Sequence, residues 1–346
     1  MAEDDLQPPS GAPSREGGQD EAAEAAGDVY DIIIVGAGIA GLAAAIYTTR
    51  ERLRTLLLEK QMPGGQILLT ARVENYPGFP EPINGMELAD RLTQQAKRFG
   101  ARIETGAEVT KVEPVTEGGE RFIDACAKGD KRFRSRAVIL AVGSEYRKLG
   151  APGEQRLGGY GVSYCGTCDA PFYRDKHVVV VGGGNTAVDE GIHILQFASK
   201  VTFVLRGEDF RAEQILLDEL HAHGDRVAVL ANHAVEEILG EKRVEAVRLR
   251  DKASGKQYTC DCDGVFVFIG LDPLTGFLKG TVDLSEDGFI RTHACRLTTS
   301  AEGIWAAGDV RTDTLKQAAT AAADGVTAAL NAKEYLRGRG THKART

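Results

Sequence analysis

Cys165-Gly166-Thr167-Cys168-Asp169 is the segment of this chain with the most evident chemistry. Two thiols separated by two residues have the spacing of thiol–disulfide motifs, whose pKa is often lowered. A disulfide reductase needs such a pair, and also a proton donor for the thiolate that leaves. Asp169 meets the second need if burial raises its pKa. A CxxC also serves as a zinc knuckle or as two buried cysteines. Structural zinc usually takes four N/S ligands, and no second CxxC or HxxxH accompanies this pair. Cys260 and Cys262 share one face of a strand as packing or edge residues, and Cys126 and Cys295 read as plain strand cysteines. The seven histidines form no triad or metal set, and His193 reads as a satisfied boundary residue.

The elements that must position the dithiol lie on either side of it. At Asp31-Ile-Ile-Ile-Val-Gly36-Ala-Gly38-Ile-Ala-Gly41 a short buried strand enters Gly-x-Gly-x-x-Gly, and an alanine-rich helix follows. The glycines allow a tight turn, close approach of a pyrophosphate to the backbone, and close helix–strand packing. A second strand ends at Glu59, 23 residues after Gly36, where a carboxylate would accept from a ribose diol. The pattern recurs at Val178–Val181 with Gly182, Gly184 and Ala187, then a helix over 186–197 and a strand over 200–205. Gly264–Gly270 reads as a further buried strand, and a terminal helix is expected from about 315 to 336.

These units predict an α/β fold of two Rossmann-like dinucleotide-binding domains, each three-layered, the second inserted into the first. The first comprises 29–148 and 276–338; the second, 149–275, carries the CxxC, with linkers at 149–153 and 271–276. Residues 1–28 hold eight of the acids and one base of a chain whose net charge is −8. They read as a disordered acidic tail, and 339–346 as a flexible C-terminus. The near-neutral remainder gives no support to a nucleic-acid role. No 18-residue apolar run marks a membrane span, the tail has no secretory or transit pattern, and a cytoplasmic location is expected.

With these motifs in order, the chain resembles the low-molecular-weight, bacterial-type thioredoxin reductases from residue 29 to about 338. Further marks are Gly64-Gly65-Gln66, Glu74-Asn75-Tyr76-Pro77-Gly78-Phe79-Pro80, Ala141-Val142-Gly143, Ala307-Gly308-Asp309 and Lys316-Gln317-Ala318. The resemblance implies FAD on the first unit. Gly36, Gly38, Gly41 and Gly143 belong to that site, with Glu59 at the ribose and Gly65, Gln66 and Asn75 along the flavin. Asp309 would hold the ribityl chain, and Gln317 and Ala318 a helix start at the pyrimidine edge. It places Cys168 nearer the flavin and makes Cys165 the thiol that attacks a partner disulfide, of thioredoxin or a similar small dithiol protein. A homodimer is also implied. Because one domain carries both the dithiol and a nicotinamide nucleotide, a hinge rotation about the linkers would bring each in turn to the flavin.

The donor site departs from the family pattern. NADPH members carry His-Arg-Arg-x-x-x-Arg, whereas this chain reads Leu205-Arg206-Gly207-Glu208-Asp209-Phe210-Arg211. Arg206 and Arg211 keep charges suited to a 2′-phosphate. An acid for NADH would fall at Leu205 and is missing, while Glu208 and Asp209 stand close by. NADPH is the expected donor, Gly182, Gly184 and Ala187 with the two arginines its site, and NADH or ferredoxin the alternatives. From other classes, an FAD-dependent dithiol oxidase using oxygen and a flavin-binding protein without turnover fit the same motifs; a ferredoxin–NADP reductase would not need the CxxC.

Overall fold

The computed structural model describes residues 29–70 and 72–343, with side chains to 338; the acidic segment 1–28 lies outside the described residues. The apolar runs become central strands of two sheets. In the first, Arg102–Thr105, Thr55–Glu59, Val29–Val35 and the end of Lys131–Leu140 pair in parallel, and Ile304–Ala306 adds alongside the last. An antiparallel meander, Val109–Glu117, Glu120–Ala127 and Lys131–Leu140, extends it. Side chains of a strand alternate between faces. Ile32 and Ile34 thus join one core with the Ile39–Arg50 helix, while Ile33 and Val35 join a second core on the opposite face. Burial on both faces is what makes these strands read as unbroken apolar runs.

The chain leaves this sheet after Leu140 and builds a second one before Ile304. Its strands Val227–Leu230, Lys200–Val204, His177–Val181, Gly264–Val267 and Val162–Ser163 are all parallel. Val178 and Val180 face one core, Val179 and Val181 the other. The fold is therefore α/β with two Rossmann-type units, one inserted in the other.

Three local expectations change. Leu271–Pro273, expected as linker, pairs antiparallel with Ser144–Tyr146, so the two crossings form one ribbon. An Arg147–Asp272 ion pair at 2.7 Å and the Arg147 N–H to Gly270 bond close it, which the turn-like Asp-Pro sequence concealed. The terminal helix starts at Ala318, because left-handed backbone at Asp313 and Lys316 delays it, and continues to Lys343. It therefore includes 339–343 of the segment expected to be flexible. Cys295 lies in an exposed turn rather than a strand.

The helices Ile39–Arg50 and Ala318–Lys343 meet backbone to backbone through small residues. A Cβ on Gly325 would stand 2.1 Å from the Ala40 carbonyl oxygen. Gly325→Ala must push the helices apart. We expect a loss of about 1–3 kcal/mol, read as a lower Cm in urea unfolding, with overpacking as the cause.

Candidate active site

Cys165 and Cys168 follow the edge strand Val162–Ser163 of the second sheet and are joined by a disulfide, with Cα atoms 5.3 Å apart. Cys165 caps a one-turn helix, Gly166–Asp169, and its sulfur accepts from the Cys168 N–H at 3.2 Å. The Ser163 hydroxyl fixes the entry to this turn, accepting from Cys165 N–H at 3.1 Å and donating to the Cys165 carbonyl at 3.2 Å. Asp169 at the end of the turn is largely withdrawn from water. Burial pushes its carboxyl pKa up, while the Ser163 hydrogen bond pulls the other way. The pair and a carboxyl able to hold a proton are thus in one turn.

The disulfide faces the first unit. Gln317, at the entrance to the Ala318–Lys343 helix, presents Nε2 to Cys165 Sγ at 3.8 Å and Oε1 to Cys168 Sγ at 4.0 Å. Asn75 Nδ2 donates to the same Gln317 Oε1 at 3.3 Å. Arg72 lies over the Phe172 ring at 5.0 Å, a second contact across this boundary. Asn75, 242 residues away in sequence, therefore holds the Gln317 amide that faces the dithiol.

Around that frame the structure assembles a glycine-lined cradle. A Cβ on Gly36 would lie 2.5 Å from the Ala141 carbonyl, and one on Gly41 only 1.9 Å from the Gly36 carbonyl. Gly38 pairs with Gly64, and Gly65 follows in a left-handed conformation with φ of +63°. Glu59 is buried and oriented by two amides, from Ala37 at 2.8 Å and Gln61 at 2.9 Å. Gln66 Nε2 donates to the Ser144 carbonyl, and the Gly143 carbonyl accepts from Leu274 N–H at 3.2 Å, tying the cradle to the ribbon. Asp309 is withdrawn from water, its pKa raised by burial against the opposing charge of Lys316. Its Oδ1 is buried with no hydrogen-bond partner, as is Ser144 Oγ. Trp305 Nε1 and Thr314 Oγ1 are the other such atoms among the described residues. Native buried polar atoms are normally satisfied, so a polar ligand in the cradle would answer the need of an orphan such as Asp309 Oδ1. Glycines, an oriented acid and orphaned oxygens fit a dinucleotide such as FAD.

The second fingerprint is equally tight at its turn: a Cβ on Gly182 would stand 2.2 Å from the Phe268 carbonyl, and Ala187 is fully buried. Gly184 is open above, with space where a ligand's phosphates would approach the start of Asn185–Leu195. Arg211 N–H donates to the Gly183 carbonyl at 2.6 Å, which brings this arginine beside the fingerprint. Arg206, Gly207, Glu208 and Asp209 are exposed on the same loop, whereas Leu205 is buried against Gly183. His193 stacks edge-on against Phe197 at 5.6 Å, a packing role.

Sequence reading missed a cluster beside the dithiol. Tyr164, adjacent to Cys165, stacks on Tyr146 of the crossing ribbon at 5.3 Å and carries Lys148 at 3.6 Å from its ring centroid. Its hydroxyl donates to the buried Glu154 at 2.7 Å, which also accepts from Leu149 and Gly150 amides. Glu190 was missed as well; it accepts from Thr167 N–H inside the dithiol turn at 2.9 Å. Neither belongs to a recognisable motif: Tyr146 ends one strand and Tyr164 follows another, and Glu190 reaches Thr167 from a helix 23 residues on. Among the described residues there is no group of three or more potential metal ligands, and no helix is long and apolar enough to cross a membrane.

The chain matches the pyridine nucleotide-disulphide oxidoreductase family over residues 30–325. It is 44% identical to a thioredoxin reductase of Listeria innocua over 309 residues, 89% of this chain and 94% of that protein. A crystal structure of thioredoxin reductase from Streptococcus pyogenes superposes with a TM-score of 0.84 at 37% identity, covering 90% of this chain and 99% of that one. A Lactococcus lactis thioredoxin reductase in its FR conformation, 34% identical and covering 89% and 99%, superposes at only 0.59. With a dithiol turn set against a glycine-lined cradle and these relatives, the chain belongs to the pyridine nucleotide-disulphide oxidoreductases and, within them, to the thioredoxin reductases, which are flavoprotein disulfide oxidoreductases.

Proposed function

We propose that this protein passes electrons from NADPH through FAD to the Cys165–Cys168 disulfide, and from there to thioredoxin or a similar small dithiol protein. The carrying observation is that the disulfide, built on the second unit, lies against Gln317 of the first, whose amide oxygen Asn75 in turn holds. Residues 29–148 and 276–338 form the FAD unit in this reading, and 149–275 the nucleotide unit. Gly36, Gly38, Gly41 and Gly143 leave room along the FAD backbone; Glu59 accepts from its ribose and Asp309 from its ribityl hydroxyls. Gly65, Gln66, Asn75, Gln317 and Ala318 line the ring system. When bound, the flavin supplies two-electron transfer between a nicotinamide and the disulfide.

Once the pair is reduced, the Cys165 thiolate attacks one sulfur of the partner disulfide. That S–S bond breaks, a mixed disulfide forms, and the departing thiolate takes the proton held by Asp169. Cys168 then passes its proton to the Asp169 carboxylate and attacks the Cys165 sulfur, which restores the internal disulfide, leaves Asp169 protonated again and releases the second partner sulfur as a thiolate. Exchange of the dithiol for the nicotinamide at the flavin requires the two units to reorient about the Ser144–Tyr146 and Leu271–Pro273 ribbon. The drop in TM-score to 0.59 at nearly the same identity and coverage supports such a rearrangement between relatives. A cytoplasmic homodimer completes this reading.

NADPH is the donor we propose, held by Gly182, Gly184, Ala187, Arg206 and Arg211. The 2′-phosphate site is incomplete because Gly207 supplies no side chain and Glu208 and Asp209 stand on the same exposed loop. Gly207→Arg has open space for its side chain. It should raise the kcat/KM ratio of NADPH over NADH about tenfold, the worth of one charge-assisted contact. Steady-state reduction of thioredoxin with each nucleotide tests both statements. A wild-type preference for NADH of about tenfold or more, 1.4 kcal/mol, would defeat the donor assignment.

A further inference from the structure

Glu190 is a half-buried carboxyl for which the reaction described above has no use. It projects from Asn185–Leu195, the helix that opens at the second glycine fingerprint, onto the dithiol turn. Its Oε2 accepts from Thr167 N–H at 2.9 Å, and its Oε1 lies 3.5 Å from the Thr167 hydroxyl. The carboxyl also packs on the residue after Cys165: a Cβ on Gly166 would stand 2.2 Å from Oε2. Two neighbouring amides of the turn therefore have different acceptors. Cys168 N–H serves the Cys165 sulfur, and Thr167 N–H serves Glu190.

We infer that Glu190 is a positioning residue that sets the redox potential of the Cys165–Cys168 couple, holding the turn through Thr167 while its charge opposes the thiolate formed on reduction. Reduction places two electrons in the S–S bond and, with one proton taken up, leaves one thiol and one thiolate. An anionic carboxyl packed on Gly166, the residue after Cys165, raises the energy of a thiolate formed in this turn. The couple becomes more reducing, which favours passing electrons to a partner disulfide. Protonated Glu190 has no such effect. Burial pushes its pKa up, with the Thr167 amide and His193 opposing and Asp189 reinforcing the shift. The effect is therefore absent below that raised pKa and present above it.

Other titratable groups share this enclosure. Asp169 belongs to the dithiol turn, and Tyr146, on the ribbon, feels Asp309, Glu190 and Asp169 together. The elements packed on the Glu190 helix carry Tyr173, His177, Lys200, Asp218, Glu219 and His221. All of these groups remain in place in a Glu190→Gln comparison, which keeps an acceptor for Thr167 N–H and removes the ionisable charge; Tyr146, lifted by burial first, stays a neutral phenol in both proteins.

The inference rests on the redox role proposed for the pair. Full-length protein is equilibrated in mixtures of oxidised and reduced dithiothreitol across a pH series and then acid-quenched. Free thiols are mass-tagged, and Cys165 and Cys168 are read by peptide mapping. Wild type and Glu190→Gln should coincide at acid pH. Above the Glu190 pKa, the variant's equilibrium constant for reduction should be about tenfold higher, a potential about 30 mV less negative. Glu190→Asp, which keeps the charge, should keep the wild-type trend. Coincident potentials of wild type and Glu190→Gln at every pH overturn the inference, even if the variant melts at a lower temperature. Failure of the wild-type pair to interconvert with dithiothreitol would instead sink the redox role itself.

Discussion

Cys168→Ser should lower steady-state reduction of a protein disulfide by about a thousandfold or more, because loss of a covalent participant removes the whole route. The geometry explains why no neighbour substitutes. Among the described residues the free cysteines are Cys126, Cys260, Cys262 and Cys295, and none belongs to the dithiol turn. Cys262 is buried, and its thiol is pushed up to about 12 by burial first and then by the charges around it. It stays a thiol at neutral pH and is a poor nucleophile. The substitution itself is mild: Cys165 keeps its place as the helix cap and its bond from the residue-168 amide. The variant should therefore fold and retain reduction of its flavin by NADPH, measured by anaerobic stopped flow. Full thioredoxin reduction by Cys168→Ser would remove the pair from the electron path.

Asp169→Asn carries the next largest effect. General acids contribute about 10²–10⁴-fold, and the asparagine keeps size and hydrogen bonding while losing the transferable proton. The loss should fall on the partner-exchange half-reaction, with flavin reduction by NADPH changed little. Its pH dependence follows from the direction of the shift. Burial raises the Asp169 pKa, so the proton is retained to higher pH than an exposed aspartate would allow. Wild-type exchange should be fastest below that raised pKa and fall as pH rises through it, and Asp169→Asn should lose this limb. Rapid-quench trapping of the mixed disulfide over a pH series measures it. An unchanged limb in the variant would assign the proton to another group.

Much of the fold was legible because the parallel central strands of both sheets are covered on two faces, which writes each as an unbroken apolar run. Ile32–Ile34 and Val178–Val181 could be little else. The glycine positions were legible for a related reason: at Gly36, Gly41 and Gly182 the nearest obstacle to a Cβ is backbone. The site itself was legible only where its chemistry is local, as in the Cys165–Asp169 turn. Tyr146 with Tyr164 and Glu190 with Thr167 are pairings between segments, each residue ordinary in its own surroundings. The ribbon was hidden for the same reason, since Leu271-Asp272-Pro273 looks like a turn until Ser144–Tyr146 is beside it.

Electrons should enter at the nucleotide unit and finish on Cys165 and Cys168. An anaerobic titration of the purified flavin-loaded protein with NADPH, followed by absorbance and by thiol tagging, tests it most directly. The flavin should bleach, and tags should appear on Cys165 and Cys168 together, while Cys126, Cys260, Cys262 and Cys295 label equally before and after. A bleached flavin with the Cys165–Cys168 disulfide intact, even after excess NADPH, would contradict the account.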